Sequence, residues 1–72
     1  MINHSAMEKE WALIYTSDKI YEIEILKGLL QENNIDSYII NKQDSMYMIG
    51  EIELYVPIDD ILKSKLIISE IQ

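Results

Sequence analysis

Few side chains in this sequence have the type and spacing to do chemistry, and the clearest pair is Glu51 and Glu53. Two carboxylates close together can act as a general acid and a general base, or can donate oxygen ligands to a metal ion. The neighbouring sequence adds no histidine and no third carboxylate to this pair. We therefore expect a solvated strand face, with no catalytic residue and no metal site.

A second candidate is the polar run of Asn41, Lys42, Gln43 and Asp44. Amide, cation and carboxylate groups side by side could hold a small ligand or a peptide. The same residue types are common in turns, where Asn and Asp side chains accept hydrogen bonds from the nearby backbone. We favour the turn interpretation, and we keep the four residues as candidate contacts for a ligand or a partner.

Four apolar residues follow in the same loop: Met46, Tyr47, Met48 and Ile49. Such a run forms an adhesive patch unless it folds back onto the domain or meets a partner protein. Methionine suits an adaptable contact because its side chain is flexible and polarisable. Both alternatives stay open, and Met46, Tyr47 and Met48 join the candidate contact residues.

The composition restricts the partners of the chain. Its 72 residues include 13 acidic and 6 basic side chains, for a net charge of −7, and every basic residue is a lysine. Without arginine, and with this acidity, we expect neither nucleic acid nor a membrane as a partner. Cysteine is absent, which excludes disulfides and thiolate metal sites. We expect a cytoplasmic protein without cofactors.

The start of the sequence lacks the features of a signal peptide. Residues 1–10 have no basic n-region and no apolar core, and the single histidine, His4, lies among them. We expect residues 1–10 to be a flexible leader and residues 11–72 to form one domain.

Hydrophobic periodicity predicts three strands and two helices in that domain. Residues 51–56 alternate most clearly, so Ile52 and Leu54 should face the core. Apolar residues at helical spacing predict a first helix over residues 19–33, which directs Ile23 into the same core. The remaining features are strands over residues 11–16 and 35–41, Pro57 as the end of the third strand, and a helix from Asp59.

Polar residues mark both ends of the first helix. Ser17 or Asp18 can cap its first N–H groups, and the pair Asn33-Asn34 can stop it because asparagine tolerates the left-handed conformation. Glu22 projects into the apolar arc of this helix. We expect the helix dipole and a neighbouring N–H group or Tyr hydroxyl to stabilise its carboxylate.

The element order β-α-β-β-α indicates an α+β fold. Two helices on one face of a three-stranded sheet form a ferredoxin-like sandwich, and a right-handed crossover places the third strand between the first two. The full arrangement has a fourth strand beside the first. The sequence offers no segment for it, so we expect that strand to be lacking and the first strand to form an edge.

An apolar edge strand favours oligomerisation. Trp11, Leu13 and Tyr15 alternate along the first strand and should share one side, and neither charge nor proline protects this strand. Leu62 and Leu66 lie off the main apolar stripe of the second helix. A two-fold dimer would cover both sets. We expect a homo-oligomer, most simply a dimer, with these five residues at its interface.

Four segments of the sequence resemble a known family: Trp11–Thr16, Tyr21–Leu30, Asn41–Ser45 and Glu51–Pro57. In this order they are similar to a small bacterial family of prokaryotic signal-transducing proteins. That family has no defined function and is grouped with the PII-like (GlnB-like) ferredoxin folds. The resemblance implies the same α+β sandwich and a bacterial cytoplasmic setting, and it implies no activity.

The resemblance also draws attention to the loop between the second and third strands. In PII proteins this loop reaches partner proteins, and residues 42–50 occupy the matching place. ATP binding does not carry over, because the basic, glycine-containing segments that hold nucleotide in PII proteins have no counterpart here. We expect a non-enzymatic signalling or protein-interaction module that uses this loop. The alternative is a small-molecule sensor or enzyme-accessory domain with a ligand near Asn41–Asp44.

Overall fold

A computed structural model describes residues 10–44, 46, 47 and 49–71 of the chain. The predicted leader lies outside the described residues except for Glu10, and Met48 lies outside them too. The elements follow the predicted order, with a short 3₁₀ turn before the second helix. They are β1 (Trp11–Ser17), α1 (Ile20–Glu32), β2 (Tyr38–Asn41), β3 (Ile52–Pro57), the 3₁₀ turn (Ile58–Asp60) and α2 (Ile61–Ser69).

The strand β3 lies at the centre of a three-stranded sheet with the order β1-β3-β2. Both neighbours pair with β3 in the antiparallel sense, so β1 and β2 run parallel to each other on its two sides. The described residues therefore form an α+β protein with three strands and two helices, compatible with a small ferredoxin-like arrangement. The central position predicted for the third strand is confirmed.

The core lies between β3 and the two helices. Ile52, Leu54 and Val56 are fully buried on one face of β3, as the alternation of this strand predicts. Burial of a side chain of this size stabilises a fold by about 1.5–3 kcal/mol. Both helices pack on the same face, and they contribute buried side chains to one continuous cluster: Ile23, Leu26 and Leu30 from α1, and Ile68 from α2.

The second strand is shorter than predicted, because β2 begins at Tyr38 and not at Ile35. After α1 the backbone turns through Asn34, which has a left-handed φ of 63°. The next N–H group, that of Ile35, donates to the Leu30 carbonyl at 3.0 Å, which satisfies one of the last carbonyls of the helix. This turn directs Ile35 into the core. The predicted stop at Asn33-Asn34 is confirmed, and the turn that it forms removes Ile35 from the sheet.

The first strand contains a β-bulge at Ile14. Leu13 lies opposite Tyr55, and Tyr15 lies opposite Leu54, the neighbour of Tyr55 in β3. Ile14 therefore has no partner position in β3 and is the extra residue of the bulge. Opposed residues of an antiparallel pair share a face, and Tyr15 therefore faces the core while Leu13 faces away from it. The prediction that Tyr15 shares a side with Leu13 is wrong. A bulge also strengthens the local twist, which is one way of protecting an edge strand.

The start of α1 differs from the predicted cap by one position. Lys19 is the capping residue, and its own side chain forms no cap. Ser17 contributes in another way: its Oγ accepts a hydrogen bond from the Lys19 N–H at 3.0 Å and donates one to the Glu22 carboxylate at 2.6 Å. The Glu22 carboxylate thus accepts from the Ser17 hydroxyl, which was not among the donors that the sequence predicted.

The third strand ends at Pro57, as predicted. Pro57 is paired with Trp11, and the N–H of the following residue, Ile58, donates to the Glu10 carbonyl at 2.9 Å. Proline is tolerated here because the hydrogen bond beside this pair comes from the Ile58 N–H, so the ladder with β1 requires no N–H from Pro57. The predicted start of α2 at Asp59 falls inside the 3₁₀ turn, and the α-helix begins at Ile61.

Replacing Leu54 by alanine tests the core. Leu54 is fully buried on the central strand and belongs to the cluster that both helices share. Removing its side chain leaves a cavity, so we expect Leu54→Ala to lower the free energy of unfolding by about 2–5 kcal/mol in denaturant titrations. A loss below about 1 kcal/mol would show that this face of β3 is not the core.

A second test concerns Ser64, which lies fully buried on α2. Its hydroxyl has no hydrogen-bond partner among the described residues. Desolvating a hydroxyl without a partner is unfavourable, and alanine also has the higher helix propensity. We expect Ser64→Ala to raise the free energy of unfolding by about 1 kcal/mol. The matched control is Ser69→Ala on the exposed side of α2, which should change it by less than about 0.5 kcal/mol.

Candidate functional site

The loop between β2 and β3 extends the hairpin that these two strands form. The Lys42 N–H donates to the Glu51 carbonyl at 3.0 Å, and the Asp44 N–H donates to the Ile49 carbonyl at 2.8 Å. Gly50 lies between these two bonds with a φ of 123°, a conformation that side-chain-bearing residues rarely adopt. The hydrogen bonds of the hairpin therefore continue from the sheet into the loop.

The polar residues at the base of the loop bind the loop's own backbone. Asn41 Oδ1 accepts a hydrogen bond from the Gln43 N–H at 2.8 Å. Asp44 Oδ1 accepts two, from the N–H groups of Met46 at 2.7 Å and Tyr47 at 3.0 Å. This is the geometry that the turn interpretation predicts for Asn41 and Asp44. Their role as contacts for a ligand or a partner stays a prediction.

Gln43 ties the loop to the rest of the domain. Its Nε2 donates to the Asp18 carbonyl, just before α1, at 2.8 Å and lies 3.5 Å from the Gly50 carbonyl. The side chain thus links Asp18, just before α1, to Gly50, near the end of the loop. This bridge joins residues that are far apart in the sequence, and the sequence alone carries no signal for it.

The carboxylate of Glu53 is engaged on both oxygens. Lys42 Nζ lies 3.3 Å from its Oε2, and the Tyr55 hydroxyl donates to its Oε1 at 2.8 Å. That hydrogen bond raises the pKa of Tyr55 above its ordinary value. The side chain of Glu53 is only 14% exposed, so the expectation of a solvated face is wrong for Glu53 and right for Glu51. The described residues contain no group of three or more His, Asp or Glu side chains that could hold a metal ion.

The tip of the loop presents apolar side chains to solvent. Met46 is 77% exposed, Tyr47 is 68% exposed and Ile49 is 70% exposed. Of the two alternatives for this run, folding back onto the domain is excluded for these three residues. Met48, the fourth, lies outside the described residues. We call Met46, Tyr47 and Ile49 the loop tip.

The chain matches a family model over residues 11–72, and the description of that family is "Putative prokaryotic signal transducing protein". The chain belongs to this family. The resemblance found in the sequence is thereby confirmed. No curated protein and no solved structure matches the chain. Within the described residues of this family member, no helix is both long enough and apolar enough to cross a membrane.

The five residues predicted at an oligomer interface lie on three separate surfaces of this family member. Trp11 and Leu13 lie on the side of the sheet that faces away from the helices, and Tyr15 lies on the core side. Leu62 and Leu66 are exposed on α2, which packs on the core side. The structure does not bring the five together, and the oligomeric state itself stays a prediction.

Sequence reasoning missed an aromatic cluster on the side of the sheet away from the helices. The ring of Tyr38 stacks on that of Tyr55 at 5.0 Å between centroids, and Trp11 meets Tyr38 edge to face at 4.8 Å. These residues come from all three strands. A single-strand pattern gives the face of each residue, but only the register between strands shows that the rings meet.

Sequence reasoning also missed a cleft of about 260 Å³ between β1 and the helices, lined by Tyr15, Glu22, Ile25, Leu26 and Ile71. Its walls are mainly apolar, and the carboxylate of Glu22 is its acidic group. That carboxylate already accepts the hydrogen bond from Ser17. The position of Glu22 within the apolar arc of α1 was the feature of the sequence that could have indicated this cleft. The cleft shares no lining residue with the polar run of the loop.

The two glycines of the chain offer a matched test of the loop geometry. At Gly50 an added Cβ would lie 2.7 Å from the Lys42 carbonyl oxygen, at a φ that alanine avoids. We expect Gly50→Ala to lower the free energy of unfolding by about 1–3 kcal/mol. At Gly28, on α1, an added Cβ meets nothing within 4 Å, and Gly28→Ala should raise it by about 0.5–1 kcal/mol. Equal effects at the two sites in thermal or denaturant unfolding would contradict the described loop.

Proposed function

We propose that the chain is a non-enzymatic signalling or protein-interaction module that presents the loop between β2 and β3 to a partner protein. The observation that carries this proposal is the exposure of the loop tip on a loop whose backbone is fixed by Asn41 and Asp44. A loop whose backbone is already held by hydrogen bonds has less backbone freedom to lose when it binds, which favours recognition.

The chemistry of the tip suits a protein surface. Tyrosine and methionine are enriched in the cores of protein interfaces, where a large side chain fills a pocket of the partner. A small-molecule site would instead be concave and would direct polar groups at the ligand. Asn41 Oδ1 and Asp44 Oδ1 are directed at the loop backbone, which weighs against the sensor alternative near Asn41–Asp44.

The setting that we propose follows from the family. The ferredoxin-like, PII-like arrangement fits the strand order, and in PII proteins the corresponding loop reaches partner proteins. We propose a bacterial cytoplasmic protein whose partner is another protein. The family description itself names signal transduction and no partner.

Photo-crosslinking from the loop tip tests this proposal. A photoreactive phenylalanine analogue replaces Tyr47, and in a separate variant it replaces Leu62, which is exposed to a similar degree on α2. In bacterial cells that express the protein, we expect a discrete crosslinked protein from position 47 and none of the same mass from position 62. The crosslinked protein is then purified, and its affinity for the chain is measured.

The affinity measurement supplies the decisive comparison. Tyr47→Ser together with Ile49→Ser should weaken binding by at least about 10-fold, which corresponds to about 1.4 kcal/mol. Leu62→Ser should leave it unchanged. An equal loss in the control would show that the contact lies elsewhere. A rise in the melting temperature on addition of one metabolite, abolished by Asn41→Ala, would favour the sensor alternative instead.

A further inference from the structure

The side of the sheet away from the helices carries a mainly apolar surface, with Glu53 within it. Residues opposite one another in the register share a face, so Trp11, Leu13, Tyr38, Ile40 and Tyr55 all lie on this side. We call these five residues the open face. Both helices pack on the other side, where Ile52, Leu54 and Val56 are buried.

The open face is preorganised by its aromatic rings. The contacts between Trp11 and Tyr38 and between Tyr38 and Tyr55 fix three large side chains side by side across the strands. Around them, Leu13 remains 48% exposed and Ile40 37% exposed. Aromatic anchors held in place beside exposed aliphatic groups are the usual centre of a protein interface, because little side-chain entropy is lost there on binding.

One charge interaction on this side of the sheet bears on the choice of partner. The chain has a net charge of −7, but the Glu53 carboxylate, which accepts the hydrogen bond from Tyr55, is paired with Lys42. This pairing lowers the repulsion that a second negatively charged chain meets at the open face.

We propose that the open face binds a second copy of this chain, in a two-fold dimer that packs sheet against sheet. Such an interface needs one patch that packs against its own copy, and burial of the apolar side chains of both copies favours that contact. Two sheets pack face to face at about 10 Å, close enough for the side chains of the two faces to interdigitate.

The size of the open face is that of a small interface. Three strands at about 4.8 Å spacing and about 3.3 Å per residue give a surface roughly 15 Å wide and 20 Å long. That is roughly 300 Å² per copy and roughly 600 Å² in total, below the roughly 1,200 Å² at which stable specific interfaces begin, so the contact is a weak one. We therefore expect a dimer that dissociates on dilution. The proposal does not depend on the loop tip, which lies beyond the end of β2 and contributes no residue to the open face.

Two measurements on the 72-residue chain test the proposal together. Light scattering after size-exclusion chromatography should give twice the 8.5 kDa of one chain at high micromolar concentration, and a falling mass on dilution. Trp11 is the only tryptophan, so its fluorescence reports on the open face directly. We expect its emission to shift to longer wavelength over the same dilution. A single-chain mass at every concentration would overturn the proposal and would leave the face to a partner other than a copy.

Charge substitutions locate the interface. Leu13→Glu and, separately, Ile40→Lys should each give a single-chain mass at a concentration where the wild-type chain is dimeric. Leu62→Glu is the matched control, since Leu62 is 79% exposed on α2, and it should keep the dimer. Unchanged far-ultraviolet circular dichroism confirms folding of each variant. A folded Ile40→Lys that remains dimeric, or a control that becomes a single chain, would overturn the open face as the contact.

Discussion

The burial of one face of β3 under both helices is the interaction on which the rest of the structure depends. Ile52, Leu54 and Val56 lie on the central strand, the one strand among the described residues that pairs on both of its edges. They therefore connect the sheet to each helix. A chain of 72 residues buries only about 60% of its unfolded surface. With so little core to share, the positions of β1, β2 and the helices all follow from this one strand.

The turns that connect the helix and the strands determine both the packing of the core and the shape of the surface. The left-handed turn at Asn34 reverses the chain after α1 and turns Ile35 into the core. At the other end of the sheet, the positive φ of Gly50 turns the loop back toward β3. Because both turns are fixed by backbone geometry, the side chains at the loop tip are free to face solvent without loosening the hairpin.

How much the sequence could predict depended on how regular each element was. Residues 51–56 alternate without exception, so the core face of β3 was predicted correctly. In β1 both sides are apolar, and such a pattern does not reveal the bulge at Ile14. The capping bond from Ile35 to Leu30 was likewise hidden, because isoleucine favours a strand by its own propensity.

In the candidate site, too, some contacts could be predicted from the sequence and others could not. Local hydrogen bonds of Asn41 and Asp44 were predictable, because they join residues two or three positions apart. The bridge from Gln43 to Asp18 and the stacking of Tyr38 on Tyr55 were not, because they join distant segments. One carboxylate links the two surfaces: Glu53 holds Lys42 at the base of the loop and Tyr55 within the aromatic cluster. The loop tip and the open face share no residue, so the partner protein and the second copy that we propose would occupy separate surfaces, joined through β3.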